Sequence, residues 1–251
     1  HRKKIILCTK GGLIFVNKKK EIQKYDIKTI ETEIKKSLFN LNTNYIDIYL
    51  LHSPRKKNIK KNSKIFKFLQ NQKKSGSIKF YGISPSNPSD ALYYLKNFSF
   101  DFLQINFNLM DQRILDLKIF EICKKKNIKI IIRTPLTFGF LTKKVSINSL
   151  KKNQFDHRSF WDHNQLVKWQ TSVDLFKSIK KNLSHAVFAL KYCLYFWSVT
   201  TVIPGMMNIN KIKENIKACL GPGLKKSQIF KIRDIYLNNS FMIKKRKRLY
   251  Y

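Results

Sequence analysis

Polar or charged side chains follow the apolar segments of this sequence at the points where strands are predicted to end. They are Thr9-Lys10, His52, Ser84, Gln104 with Asn106, Arg133-Thr134 and Pro204-Gly205. A lysine ammonium stabilises a neighbouring anion, and an imidazole can donate a hydrogen bond to a substrate oxygen. Hydroxyl and carboxamide groups add directional hydrogen bonds. Such a set could polarise a carbonyl and hold a polar ligand if the fold brings the strand ends together.

Six short and mostly continuous apolar runs predict strands that are buried on both faces. The runs cover 5–9, 45–51, 78–84, 101–106, 128–134 and 198–203. Helical patterns lie between them. Asp26 is placed to cap the first helix, Gly76 to end the second, and one longer helical region is predicted over 165–196. Strands that alternate with helices predict a parallel α/β sheet with right-handed crossovers.

Six βα units fit either an open doubly wound sheet or a (β/α)8 barrel that lacks two units. Two observations favour the barrel. Its chemistry gathers at the carboxyl ends of the strands, and every predicted strand here ends in polar or charged residues. In addition, no GxGxxG follows the first strand, so the dinucleotide-binding Rossmann fold loses its main support. We therefore expect an α/β fold of the TIM barrel type in a single domain over residues 1–251, with a basic tail at 244–251.

The formal net charge is +36, from 51 Lys and Arg against 15 Asp and Glu. A balance of this kind suggests nucleic acid or an anionic membrane as a partner. However, the excess is mostly lysine and is spread over the whole chain with abundant Asn and Ile, as is typical of an AT-rich genome. We therefore expect an ordinary basic surface and no specific nucleic-acid partner. A nucleic-acid role would rest on the charge and on KKRKR at 244–248 alone.

The four cysteines, Cys8, Cys123, Cys193 and Cys219, are widely spaced and form no CxxC or zinc-type cluster. This pattern predicts a reducing, cytoplasmic environment and no metal site. The longest apolar stretch, 186–205, is interrupted by a lysine and ends at a Pro-Gly pair. It therefore predicts a helix followed by a strand and not a membrane span.

Six short motifs, in this order along the chain, resemble those of the aldo-keto reductase family. They are TKG, DIYLLHSP, YGIS, LQINFNLMDQR, RTPL-x-x-GFLT and TVIPGMMNINKIKEN. In addition, FDHRSFW at 155–161 resembles a loop of one bacterial aldo/keto reductase branch. The resemblance implies a (β/α)8 barrel that reduces aldehydes and ketones, or oxidises alcohols, by direct hydride transfer with NADP or NAD. The partner is then a small carbonyl or alcohol molecule.

The resemblance also implies catalytic roles. The family uses a tetrad in which Tyr donates the proton, Lys lowers its pKa, Asp fixes the Lys, and His orients the carbonyl. Lys10 and His52 fall on the Lys and His positions. The Asp and Tyr belong to the second βα unit of the family, whereas this sequence corresponds to strands 3 to 8. We therefore expect an N-terminally truncated barrel that is inactive by itself. The alternative is a catalytically inactive cofactor-binding remnant or regulatory module.

The positions that contact the cofactor in the family fall on three parts of this sequence. The positions for the nicotinamide carboxamide are Ser84 and Gln104. The positions for the nicotinamide and diphosphate are Arg133, Thr134, Leu136, Gly139, Leu141 and Thr142. The positions for the adenosine end are Gly205, Met206, Met207, Lys211 and Asn215. A loop that opens a helix after the last barrel strand is also a suitable phosphate site on physical grounds, because backbone N–H groups and the helix dipole both favour an anion.

This sequence departs from the family at three of these places. Pro85 stands where Asn is frequent, and Arg133 stands where many members stack a Tyr on the nicotinamide. Met206 and Met207 stand where many relatives carry a basic residue for the 2′-phosphate of NADP. Lys211 is then the available cation, and the choice between NADP and NAD stays open. A simpler interpretation of the two methionines is that they fill the core.

Overall fold

A computed structural model describes residues 1–17, 20–153 and 155–243. The predicted basic tail lies outside these residues. The strands are β1 (Cys8–Gly11), β2 (Leu13–Asn17), β3 (Lys20–Gln23), β4 (Ile46–His52), β5 (Ile78–Ser84), β6 (Phe102–Asn106), β7 (Lys129–Arg133) and β8 (Val199–Ile203). The α-helices are α1 (Ile27–Asn40), α2 (Ile65–Lys74), α3 (Pro88–Asn97), α4 (Arg113–Asp116), α5 (Ile119–Lys125), α6 (Ile147–Lys152), α7 (His163–Ser172), α8 (Lys177–Lys180), α9 (His185–Leu194), α10 (Ile209–Ile216) and α11 (Lys226–Asn238). Short 3-10 helices cover Arg2–Lys4, Thr137–Thr142, His157–Phe160, Val173–Phe176 and Lys217–Cys219.

Six strands form one sheet in the order β1-β4-β5-β6-β7-β8, and β2 and β3 form a separate antiparallel hairpin. The parallel register of β1, β4, β5 and β6 is set by the pairs Lys10↔Leu50, Leu50↔Gly82, His52↔Ser84, Gly82↔Phe102 and Ile83↔Leu103. The predicted parallel α/β architecture is therefore confirmed. All six predicted strands are present, and the hairpin is an element that the sequence patterns did not predict.

The first strand begins later than predicted. It was expected at 5–9 but forms at Cys8–Gly11, so Lys10 lies within the strand and not after it. The backbone N–H of Leu7 donates to the Asp47 carboxylate at 3.0 Å, and Ile5 and Ile6 are exposed. An apolar run alone does not fix where a strand begins, because the first ladder pair is decided by the neighbouring strand.

Side chains cap the start of five of the described α-helices, α1, α3, α7, α9 and α10. Asp26 caps α1 by accepting from the N–H of Thr29, as predicted, and Ile30 and Ile34 on its inner face are buried. The longer helical region predicted over 165–196 is present, and it consists of several helices in succession. After α7 and α8 the chain turns at Lys181, which has a left-handed φ of 51°, and Ser184 then caps α9 as a new helix. No helix in the described ranges is long and apolar enough to cross a membrane.

The chain divides into two compact units. The first contains His1–Ile105 and Leu115–Ile131, and the second contains Asn106–Ile114 and the described residues from Ile132 onward. In the first unit, Ile48, Leu50 and Ile131 form an apolar cluster with Phe102 packed against it. Ile48 and Leu50 are two residues apart on β4, so their side chains lie on one face of the sheet. His52, at the end of β4, lies on the same face.

Candidate functional site

Lys10, His52 and Ser84 occupy one face of the sheet in the first unit. Lys10 is the register partner of Leu50, and two residues further along β4 His52 is the partner of Ser84. Side chains two apart on a strand share a face, and so do direct partners on parallel strands. Lys10 therefore lies on the same face as His52 and Ser84, one step deeper. An apolar layer at Leu50 and Phe102 thus gives way to a polar layer at the carboxyl ends.

Ser84 and Gln104 form a hydrogen-bonded pair in this polar layer. The Ser84 hydroxyl donates to Gln104 Oε1 at 3.0 Å, and both side chains are almost completely buried. This bond occupies the carbonyl end of the Gln104 carboxamide and fixes the direction of its NH2 group, which carries two donors. The sequence predicted both residues, and the structure brings them together.

The hairpin and the residue that follows it hold the end of β4. The Tyr25 hydroxyl donates to the backbone carbonyl of His52 at 2.5 Å, and Gln23 Nε2 donates to the carbonyl of Ser53 at 2.9 Å. Burial raises the pKa of Tyr25 well above its usual range, so the hydroxyl stays protonated as a donor. The Tyr25 ring also covers Gly12, where an added Cβ would lie 2.3 Å from Cε1. Tyr25 therefore links the ends of the strands that carry Lys10 and His52.

In the second unit, the predicted diphosphate residues lie in a tight turn after β7. The backbone is left-handed at Thr134, Thr137, Phe138, Gly139 and Lys143. Leu136 and Leu141 are buried, so their side chains pack within the protein and only their backbone could face a ligand. The Thr137 side chain is 2% exposed, and its Oγ1 has no hydrogen-bond partner within the described part of the chain. A buried hydroxyl without a partner is unfavourable, so it is suited to a polar ligand.

Two side chains from other parts of the second unit support this turn. Asn108 Nδ2 donates to the carbonyl of Thr134 at 3.0 Å. Arg158, from the 3-10 helix at 157–160, donates through Nη1 to the carbonyl of Phe138 at 2.6 Å. No residue pattern identified either contact beforehand, because both end on a backbone carbonyl, although FDHRSFW had drawn attention to the region of Arg158.

The predicted adenosine residues lie where β8 leads into α10. Asn208 caps α10 by accepting from the N–H of Lys211 at 3.0 Å, and Asn215 Nδ2 donates to the carbonyl of Gly205 at 3.2 Å. An added Cβ at Gly205 would meet nothing within 4 Å, so the backbone there is open. The structure therefore joins Gly205 to Asn215 and leaves the Lys211 side chain exposed at the start of the helix.

Met206 and Met207 do not fill the core. Their side chains are 50% and 85% exposed. The interpretation of these methionines as core residues is therefore wrong. Exposed apolar side chains beside an open backbone and a helix N-terminus are compatible with a ligand that has a flat apolar part and an anionic part.

Comparison of the sequence with known proteins gives a consistent result. The sequence model of the aldo/keto reductase family matches residues 1–237. The uncharacterized oxidoreductase YqkF of Bacillus subtilis is 29% identical over 204 residues, which are 80% of this chain and 63% of that protein. The uncharacterized oxidoreductase C215.11c of Schizosaccharomyces pombe is 26% identical over 216 residues, 86% of this chain and 61% of that protein. The chain thus spans less than two thirds of the length of these curated relatives.

Solved structures show the same similarity in fold. The holo form of aldo-keto reductase AKR11C1 from Bacillus halodurans has a TM-score of 0.75 at 24% identity, over 93% of this chain and 74% of that one. The glycerol dehydrogenase AKR11B4 from Gluconobacter oxydans has a TM-score of 0.76 at 21% identity, over 98% of this chain and 76% of that one. At these identities the likeness concerns the fold, and it agrees with a parallel α/β architecture of the TIM barrel type.

Proposed function

The chain belongs to the aldo/keto reductase family, and on this basis we propose that it is part of an NADP- or NAD-dependent oxidoreductase. The reaction is reduction of an aldehyde or ketone, or oxidation of an alcohol. The observation that carries the proposal is the face of the sheet that Lys10, His52 and Ser84 share in the first unit, with Lys10 one step deeper than the other two. In this proposal the six sheet strands correspond to strands 3 to 8 of a (β/α)8 barrel.

The nicotinamide cofactor supplies the hydride. His52 donates a hydrogen bond to the carbonyl oxygen and orients it, since its imidazole stands at the end of β4 with the backbone held by Tyr25. Lys10 lies one step deeper and acts by charge on the tyrosine that protonates the oxygen. The Gln104 NH2 group, whose direction is fixed by the bond from Ser84, would hold the nicotinamide carboxamide.

The tyrosine is not one of those in the sheet strands. Tyr49 and Tyr81 are register partners, and along their strands they occupy the positions between the residues that share a face with Lys10 and His52. They therefore point to the opposite face. In the first proposal, the Asp and Tyr of the tetrad come from a segment outside these strands. The same observation favours a second candidate, a catalytically inactive cofactor-binding remnant or regulatory module.

Within the second unit, we assign cofactor-binding roles to two segments. The turn at 134–142 would hold the nicotinamide and diphosphate part, and its buried Thr137 hydroxyl supports this assignment. The N-terminus of α10 would favour the anionic adenosine end through its dipole and the backbone N–H groups of its first turn. Lys211 is exposed there, whereas Met206 and Met207 carry no charge. Discrimination between NADP and NAD is therefore expected to be modest. The free cysteines support a cytoplasmic location.

A cofactor titration of the complete protein tests this proposal. Binding of NADPH and of NADH is followed by fluorescence in the wild type and in Lys211→Ala. We expect both cofactors to bind, with a modest preference for NADPH that Lys211→Ala removes, because a charge pair made by an exposed lysine contributes only about 0–1 kcal/mol. Failure to bind either cofactor would overturn the proposal. A large preference for NADPH that survives Lys211→Ala would show that another cation holds the 2′-phosphate.

A further inference from the structure

The turn at 134–142 has an unusual backbone for its composition. Thr134 has a φ of 54°, Thr137 of 46° and Phe138 of 56°, and only the fourth left-handed residue of the turn is a glycine, Gly139. Left-handed backbone is unfavourable for residues with a Cβ and persists only when the surroundings impose it. Contacts from outside the turn must therefore hold Phe138 and its neighbours in place.

Arg158 makes such a contact, and its guanidinium is itself held by Asp156. Arg158 Nε donates to Asp156 Oδ1 at 2.9 Å, and Nη2 donates to Oδ2 at 2.6 Å. The remaining terminal nitrogen, Nη1, donates to the carbonyl of Phe138 at 2.6 Å. Hydrogen bonds from Arg158 hold the pKa of Asp156 below its usual range, so the carboxylate is ionised at neutral pH. The planar guanidinium thus joins a fixed carboxylate to the strained carbonyl.

The aromatic residues around Phe138 complete this support. The Phe138 ring meets Trp161 edge to face at 4.6 Å between centroids and lies 5.8 Å from Trp169. Trp161 belongs to the same FDHRSFW segment as Arg158. A Cβ added at Gly139 would lie 3.3 Å from Arg158 Nη1, so the guanidinium also lies against this glycine. One segment, residues 155–161, therefore contacts both the carbonyl and the ring of Phe138.

From these contacts we infer that Arg158 is a positioning residue for the cofactor. Arg158 is not expected to touch the cofactor itself. It acts by fixing the carbonyl of Phe138, which keeps the backbone of the turn at 134–142 in the shape that receives the diphosphate. The inference rests on the proposed function for the identity of the ligand. It adds a role for FDHRSFW, namely that this segment sets cofactor affinity from outside the binding turn.

Arg158→Lys in the complete protein tests this role. Lysine keeps the positive charge but cannot bond the Asp156 carboxylate in a bidentate manner and reach the carbonyl of Phe138 as well. We expect the Kd for NADPH and for NADH to rise about tenfold, with the KM for the carbonyl substrate unchanged. Without cofactor, amide hydrogen exchange in 134–143 should become faster than in the wild type.

Arg113→Lys is the matched control. Arg113 also forms a bidentate pair with an aspartate two residues earlier, through Nε and Nη2 to Asp111 at 2.7 Å each, and it is in the same unit. We expect this variant to lose the bidentate geometry of the pair with Asp111 but to keep the wild-type Kd. An unchanged Kd in Arg158→Lys, or an equal rise in both variants, would overturn the inference. If the wild type binds neither cofactor, the proposed function fails. Amide hydrogen exchange in 134–143 that is unchanged in Arg158→Lys would separately refute the role of Arg158 in supporting the turn.

Discussion

Lys10 and His52 stand at different depths on one face of the sheet, and this difference separates their proposed roles. His52 is at the last position of β4, where a substrate oxygen can reach it, whereas Lys10 is level with Leu50, one step deeper. A cation below the substrate layer acts best through its field on a neighbouring group. The geometry therefore favours Lys10 as the residue that stabilises a phenolate and His52 as the residue that contacts the carbonyl.

Replacement of Lys10 should reduce turnover without weakening cofactor binding. At an effective dielectric of about 20, a cation some 4 Å from a phenolate stabilises it by about 4 kcal/mol. Loss of this term in Lys10→Met should lower kcat by about a thousandfold in the complete protein. Lys10→Arg keeps the charge and should retain part of the activity. A Kd for NADPH that rises as much as kcat falls would contradict a purely electrostatic role.

Asp156 should make the support of the turn dependent on acid. Its pKa in the folded protein is lowered, first by the hydrogen bond from the Arg158 side chain. The pKa of Asp156 is lower in the folded state than in the unfolded state. The carboxylate therefore stabilises the fold fully at a pH above the pKa of the unfolded state, and this contribution is lost as the pH falls through the pKa of the folded state. The free energies of unfolding of the wild type and Asp156→Asn should therefore differ most at neutral pH and converge below about pH 4. Urea unfolding at several pH values measures this. A difference that is independent of pH would contradict it.

At the scale of elements, the hairpin of β2 and β3 matters because it leads into Tyr25, which joins the ends of β1 and β4. Gly12 allows this arrangement in two ways. Its φ is +93°, and any side chain there would collide with the Tyr25 ring at 2.3 Å. The Gly12 N–H also donates to Glu33 of α1 at 2.6 Å. A short stretch after Lys10 therefore connects a strand, a helix and the hairpin.

Three glycine substitutions separate backbone strain from collision. Gly12→Ala suffers both and should lower the free energy of unfolding by about 2–4 kcal/mol. Gly76→Ala has a left-handed φ of +84° but open space around it, so about 1 kcal/mol is expected. Gly223→Ala meets nothing within 4 Å and has no such φ, so it should be almost neutral. Urea denaturation ranks the three. A Gly12→Ala variant no less stable than Gly76→Ala would show that the Tyr25 contact is unimportant.

The elements that could be predicted are those decided by short-range rules. Buried strands appear as continuous apolar runs, and the Asp26 cap depends on one side chain and the next turn. The division of the predicted helical region near Lys181 could not be predicted, because the apolar periodicity continues across the positive φ of Lys181 and the Ser184 cap. At the site, Ser84 and Gln104 were predictable from strand ends, whereas Tyr25 and Arg158 bond backbone carbonyls 27 and 20 residues away in sequence.

At the scale of the whole molecule, the expectation of an ordinary basic surface without a specific nucleic-acid partner stays a prediction. The formal net charge of +36 is large, and several surface lysines are engaged with acidic groups, as in the pairs Lys73–Asp101 and Lys144–Glu214. Exposed pairs of this kind contribute little to stability and are screened by salt. The origin of the tetrad Asp and Tyr stays a prediction. Reading the coding sequence upstream of His1 for a strand that ends in Asp, followed closely by Tyr, tests it.

The most direct test of the central claim is a carbonyl reduction assay on the complete protein. NADPH or NADH is mixed with a panel of aldehydes and ketones, and cofactor oxidation and alcohol formation are both followed. We predict that at least one carbonyl is reduced with equal amounts of cofactor consumed, and that His52→Ala and Lys10→Met each abolish most of this activity while the cofactor still binds. Binding of cofactor without reduction of any carbonyl would contradict the enzymatic proposal in favour of the inactive module. Undiminished reduction by a variant that carries both His52→Ala and Lys10→Met would show that these two residues do not carry the reaction.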